Sequence, residues 1–97
     1  MARHVLSAEA HRDWEEILEY IATDSIDSAL KVHERFLEVF RILGENPEAG
    51  HFRKDLTSRP LRFFPVYSFL VVYLANTDPI EIVRILGGTR DVEQILK

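Results

Sequence analysis

The sequence contains no cysteine, few glycines and prolines, and no apolar run of membrane-spanning length. The absence of cysteine excludes disulfides, thiolate metal sites and cysteine nucleophiles. No Pro/Gly/Ser-rich stretch indicates a linker, so we expect one folded domain over residues 1–97. The longest apolar run, residues 63–75, is interrupted by Pro65 and Ser68 and is shorter than the roughly 18 residues of a membrane span. A cytoplasmic protein without membrane association is therefore expected.

The sequence has no recognisable metal-binding or nucleotide-binding motif. The histidines at positions 4, 11, 33 and 51 do not have metal-ligand spacing, and Gly87 with Gly88 lacks the rest of any nucleotide-binding fingerprint. We therefore predict no metal ion and no cofactor.

The net charge of -4 is unevenly distributed along the chain. Residues 1–50 hold 5 Lys/Arg against 11 Asp/Glu, and residues 51–97 hold 7 against 5. Two surfaces of different charge favour two kinds of partner over a uniform binder of polyanions.

The first half of the chain has helical periodicity. A short strand over residues 3–6 precedes Ser7, which stands at an N-cap position. Apolar residues then recur at offsets of three and four, and a second cap signal, "TDSID", opens another such pattern that ends near Gly44. Two amphipathic helices joined by a loop of a few residues should pack as an antiparallel hairpin.

The second half has strand character. The segments "PLRFF", "YSFLVVYL" and "IEIVRIL" are separated by short turn-like pieces and predict an antiparallel meander. The predicted fold is therefore α+β, in the order β-α-α-β-β-β, with the helical hairpin on one sheet face and a short C-terminal tail or helix. The other sheet face is expected to be uncovered.

Two arginines stand out within the predicted strands. Simple alternation places Arg84 on the same side as Ile80, Ile82 and Leu86. Arg84 then either contacts a partner on an open face or pairs with Glu81 or another carboxylate at the sheet rim. Arg62 lies in the first strand of the meander, and convergence of both arginines would bind a phosphate or a carboxylate.

The helices carry a broad apolar stripe. Its aromatic residues are interpreted as core residues, and His33 as a packed or partner-facing residue. One small sheet cannot bury the whole stripe, which favours a helical partner laid along it.

Several strings resemble the RelE/ParE superfamily of toxin-antitoxin toxins, most closely its ParE branch. They are "LSAEAHRDWEEILEYIA", "NPEAG", "LRFFPVYSFLVVYL" and "IEIVRILGGTRDVEQIL", and together they span nearly the whole chain. The resemblance implies a type II toxin that inhibits DNA gyrase without enzymatic activity, has no catalytic residue and is neutralised by a ParD-like antitoxin. It also implies a hetero-oligomer with that antitoxin, and contact with DNA only through it.

The candidate contact residues form two groups. Those for toxicity or target contact are Arg62, Arg84, Arg90, Asp91, Ile95 and Leu96. Those for antitoxin binding are Trp14, Ile17, Leu18, Ile21, His33, Leu37, Phe40 and Arg84.

Two alternatives remain within the same resemblance. RelE-like members cut messenger RNA on the ribosome, and here Arg62, Arg84 and Lys54 would supply the basic groups. Many relatives have a histidine where Gly87 stands, and the net charge is unfavourable for docking on the ribosome, so inhibition of gyrase is the favoured prediction. The second alternative is a non-toxic relative that only binds the antitoxin.

Overall fold

The computed structural model describes residues 3–87 and 92–96. It contains five strands and three helices in one chain order: β1 (His4–Leu6), α1 (Ala8–Asp24), α2 (Ile26–Glu45), β2 (His51–Phe52), β3 (Arg62–Val66), β4 (Phe69–Leu74), β5 (Ile80–Leu86) and α3 (Val92–Ile95). The predicted α+β order is confirmed, and β2 is an additional strand of two residues in the segment that the sequence assigned to a loop. No helix in residues 3–87 or 92–96 combines the length and apolarity needed to cross a membrane.

Two serines define the ends of the long helices. The Ser7 hydroxyl accepts a hydrogen bond from the Ala10 amide at 3.0 Å, as an N-cap should. Ser25 ends α1 and begins α2 at the same time, since its amide donates to the Ile21 carbonyl and its hydroxyl accepts from the Ser28 amide. The connection between the helices is thus one extended residue, shorter than the predicted loop.

The sheet has the order β1-β5-β4-β3-β2. β3 to β5 form the predicted antiparallel meander. β2 extends it beside β3, and β1 is added in parallel beside β5. The helical hairpin packs on one face, over a core built from both helices and the inward residues of β3, β4 and β5. Apolar stripes on the helices and the sheet are buried against each other, as the amphipathic patterns require.

A bulge in β5 changes which residues face the helices. Val72 lies opposite Arg84 while Tyr73 lies opposite Ile82, so Val83 is an extra residue in the ladder. Ile82 and Ile85 consequently belong to the core under the helices, whereas Leu86 belongs to the opposite face. The predicted alternation of Ile80, Ile82, Arg84 and Leu86 on one side was wrong, because the extra residue inverts the phase.

The second sheet face is covered, contrary to the expectation that it is open. A separate apolar cluster buries Leu61, Phe63, Leu70, Val72 and Leu86 together with Val92 and Leu96, and Leu56 packs at its side. The strands carry apolar residues on both faces, so the second face also has to be removed from water. The protein covers it with its own C-terminal segment and the loop before β3.

The Tyr73 side chain anchors the turn after α2. Its phenol oxygen accepts from the Gly50 amide at 2.7 Å and its O–H donates to the Pro47 carbonyl at 2.8 Å. Burial raises the pKa of Tyr73 above its ordinary value, although the bond from Gly50 acts in the opposite direction. A neutral phenol that both donates and accepts is therefore built into the core.

This close approach makes Gly50 a sensitive position. A Cβ there would lie 2.6 Å from the Tyr73 hydroxyl and 3.0 Å from the Phe63 carbonyl oxygen, whereas a Cβ at Gly87 would meet nothing within 4 Å. We expect Gly50→Ala to lower the free energy of unfolding by about 2 kcal/mol through overpacking, and Gly87→Ala to change it little. Urea unfolding of both variants measures the difference, and equal stabilities would contradict the packing described for Gly50.

Candidate functional site

The free edge of β5 is covered by α1. β1 pairs only with Ile80–Ile82, so the rest of β5 has no neighbouring strand on that side. The Ser7 hydroxyl donates to the Val83 carbonyl at 2.8 Å, and the Asp13 carboxylate accepts from the Ile85 amide at 2.9 Å. The side chains of Ser7, at the N-cap of α1, and of Asp13, within α1, therefore take the place of a missing strand and satisfy the edge of the sheet.

Arg84 is held by the same carboxylate. Its Nε donates to Asp13 Oδ2 at 2.8 Å and its Nη2 donates to Asp13 Oδ1 at 3.0 Å. This bidentate ion pair is mostly shielded from solvent. The hydrogen bond to Asp13 is the main cause that raises the pKa of Arg84, and the charges of Glu9 and Glu16 add to it. The alternative of a carboxylate partner is thus confirmed, with Asp13 in that role and not Glu81.

Arg62 is engaged elsewhere. Its Nη1 donates to the Gly50 carbonyl at 2.9 Å, and its guanidinium lies over the Phe52 ring, 4.3 Å from the centroid. The strand β4 separates β3 from β5, and the two arginines bond to different elements. The predicted convergence of Arg62 and Arg84 on one anion site is therefore not found.

The Arg62 guanidinium borders a groove of about 630 Å³ between the end of α2 and the meander. Glu45 and Glu48 line the same groove, and their negative charge disfavours a bound anion there. Arg53, in the loop between β2 and β3, is already paired with Asp55 at 2.8 Å, while His51 and Lys54 are exposed. Within residues 3–87 and 92–96, no cluster of His, Asp or Glu side chains has the arrangement of a metal site.

The outer side of α2 presents an apolar stripe that the core does not use. Ile26, Leu30 and Leu37 are exposed, and His33 between them stacks on Trp14 with ring centroids 4.9 Å apart. We call Ile26, Leu30, His33 and Leu37 the α2 stripe. Sequence reasoning missed Ile26 and Leu30, although their spacing of 4, 3 and 4 with His33 and Leu37 is offset from the core-facing series and could have indicated them.

The remaining predicted antitoxin contacts are less accessible. Ile17, Leu18 and Ile21 on α1 are half-buried, and Phe40 has no exposed surface. Phe40 lies inside the core, edge-on to Trp14, so it cannot contact a partner in this fold. The prediction for Phe40 was wrong because its helical spacing is shared by the core-facing side of α2.

The C-terminal candidates divide in the same way. Ile95 is exposed, but Leu96 is buried in the second apolar cluster and cannot make a direct contact there. Arg90 and Asp91 lie outside the described residues. Exposure therefore leaves Ile95 as the accessible predicted target contact of α3.

Comparison with known proteins assigns the chain to a family. A family model described as the ParE toxin of the type II toxin-antitoxin system parDE matches residues 5–92. The chain belongs to the ParE toxin family. The toxin also matches a solved structure titled "Chromosomal ParDE TA system from P. aeruginosa", with a TM-score of 0.72 and 19% sequence identity, over 88% of this chain and 94% of that chain. At that identity the match shows a common fold.

No curated protein sequence matches the toxin significantly. The family model nevertheless confirms the resemblance drawn from the sequence, in the ParE branch of the superfamily. The toxin is therefore a type II toxin by family.

The ion pair between Asp13 and Arg84 should be a main source of stability for the toxin. Asp13→Ala leaves the Arg84 guanidinium and the Ile85 amide without their acceptor, and we expect a loss of about 2 kcal/mol in the free energy of unfolding. The matched control is Glu38→Ala, which breaks the exposed pair with Arg35 and should cost less than about 1 kcal/mol. Chemical denaturation compares the two variants. Equal losses in the free energy of unfolding would show that Asp13 stabilises the toxin no more than an exposed ion pair does.

Proposed function

We propose that the toxin inhibits DNA gyrase without catalysing a reaction and that a ParD-like antitoxin neutralises it by direct binding in the cytoplasm. The observation that carries this proposal is the engagement of both sheet arginines: Arg84 by Asp13, and Arg62 by Phe52 and Gly50. A ribonuclease needs basic groups free to bind phosphate and a proton donor and acceptor beside them. The toxin instead uses its arginines to stabilise its own fold.

The family supports the same choice. ParE toxins act in type II toxin-antitoxin systems, and the chain matches the family model over most of its length. A protein that binds and blocks an enzyme needs accessible contact residues and no catalytic constellation. The exposed apolar residues on the helices and at the end of the sheet supply such contacts.

The α2 stripe is the surface that suits the antitoxin. Its exposed aliphatic side chains follow the spacing that an amphipathic helix of a partner would match. The half-buried Ile17, Leu18 and Ile21 of α1 extend this apolar surface across the hairpin. We propose a hetero-oligomer in which the antitoxin covers the hairpin, and in which DNA is contacted only through the antitoxin.

One observation favours a second function, ribosome-dependent cleavage of messenger RNA. His51 and Lys54 are exposed beside the β2–β3 pair, and Phe52 of β2 pairs with Arg62. Primer extension on translated messages after induction of the toxin decides this alternative. New cleavage ends would support it, and their absence during growth arrest would eliminate it.

Inhibition of gyrase has a direct test. Purified toxin at micromolar concentration should inhibit ATP-dependent supercoiling of relaxed plasmid by gyrase. Addition of the antitoxin should restore supercoiling, because toxin bound to the antitoxin is neutralised and no longer inhibits gyrase. Heat-unfolded toxin is the control for nonspecific effects. Normal supercoiling at saturating folded toxin would contradict the proposal, and normal growth of cells that express the toxin alone would favour a non-toxic relative.

The antitoxin surface has its own test. Leu30 is 59% exposed, so Leu30→Glu should leave the thermal stability of the toxin nearly unchanged while placing a carboxylate inside the proposed interface. We expect antitoxin affinity measured by calorimetry to fall about 100-fold, the size of a hot-spot loss.

Ser28→Glu is the matched control, because it adds the same charge on an exposed position of α2 outside the stripe. Equal affinities of the Leu30→Glu variant and the unmodified toxin would place the antitoxin on another surface.

A further inference from the structure

A second groove lies between α1 and the sheet, away from the α2 stripe. It has a volume of about 290 Å³. Its walls are formed by Ile17, Tyr20, Phe69 and Ile85. Its two charged residues are Asp13 and Glu16. Tyr20 is 78% exposed, so the groove carries a large aromatic side chain that contributes little to the core.

The turn next to this groove contains a strained aromatic residue. Tyr67 joins β3 to β4 with a φ of 56°, and its side chain is 66% exposed. The left-handed region is unfavourable for residues with a bulky side chain, and glycine or asparagine occupies it at a lower cost. Neither backbone conformation nor burial therefore explains a tyrosine at this position.

Strain of this kind is concentrated at functional sites, where another interaction maintains it. The Tyr67 turn leads through Ser68 into Phe69, which lines the groove. Exposed tyrosines are frequent anchors of protein interfaces, because they bury a large area with few rotatable bonds. Tyr20 lines the groove, and Tyr67 lies two positions before Phe69 in the chain.

The charge around the groove selects the partner. Asp13 is paired with Arg84, whereas Glu16, which lines the same groove, is exposed. Helix α1 as a whole has six carboxylates against one arginine, Arg12. Negative potential beside aromatic rings favours lysine or arginine, which pair with the carboxylates and lie over the rings.

We propose that the groove and the adjoining Tyr67 turn dock a lysine- or arginine-bearing segment of the target protein. The proposal rests on the proposed function for the existence of a protein target. The antitoxin surface is centred on the α2 stripe, whose exposed residues are aliphatic, and it meets the groove only at Ile17. The groove adds aromatic and acidic groups that the stripe lacks. Two surfaces of different chemistry thus serve two partners.

The strain at Tyr67 allows a test that separates function from stability. Tyr67→Asn removes the ring and relieves the backbone strain, so the variant should unfold at a temperature about 4 °C higher. The same variant should need about tenfold more protein for half-inhibition of gyrase, while its antitoxin affinity stays unchanged. A variant with normal inhibition, or one that loses antitoxin binding instead, overturns the proposal.

The charge argument is tested by a matched pair on α1. Glu16→Gln should weaken inhibition several-fold, and the neighbouring Glu15→Gln, which does not line the groove, should not. Equal effects of both substitutions would show that only the general field of the helix matters and would overturn the assignment of the groove.

Growth arrest on expression is measured in parallel with the same variants. If the toxin arrests growth without inhibiting gyrase, the proposed function fails and the groove is judged by whether Tyr67→Asn and Glu16→Gln relieve the arrest. If neither relieves it at equal protein levels, the groove proposal fails by itself. Absence of arrest by the unmodified toxin would overturn both.

Discussion

The fold depends on one carboxylate that substitutes for a strand. β1 is too short to cover β5, and Asp13 accepts from the Ile85 amide where a neighbouring strand would otherwise bond. The same group holds Arg84, so this side chain, together with Ser7, satisfies the sheet edge, and it also fixes α1 against the sheet and neutralises a strand arginine. An unpaired edge invites association with other chains, and a charged helix laid over it prevents this.

Because both faces of the sheet are covered, exposed apolar surface lies on the helices and at the sheet ends. The hairpin covers one face of the sheet, and the C-terminal segment with Leu56 covers the other. Apolar area that remains accessible is therefore found on the α2 stripe and around the groove next to Tyr67. A small domain with both sheet faces occupied can still bind two partners when its helices are only partly buried.

A non-enzymatic role agrees with how the polar groups are used. Tyr73 is a buried structural phenol, Arg84 is bonded to Asp13, and Arg62 is stacked on Phe52. Catalysis requires groups that keep a proton or a charge available to the substrate, whereas these three side chains are engaged within the protein. The membership of the ParE family and this internal use of polar groups support a toxin that works by binding.

Much of the local structure followed from the sequence. The cap at Ser7, a second cap within "TDSID", the two helical periodicities and the strand order of the meander depend on neighbours a few residues apart, and all of these were predicted. The bulge at Val83 was not, because the strand pattern alone does not show an extra residue in the ladder. Nor was the burial of Leu96, since apolar spacing does not reveal which face a tail will cover.

The arginine in the last strand shows the same boundary. The sequence by itself determined that Arg84 sits in a β-strand and needs either a partner protein or a carboxylate of its own. Only the tertiary structure decided that the carboxylate is Asp13, 71 positions earlier in the chain. The local sequence pattern shows that the Arg84 guanidinium needs a partner, whereas the packing of α1 across the edge of β5 determines which carboxylate that partner is.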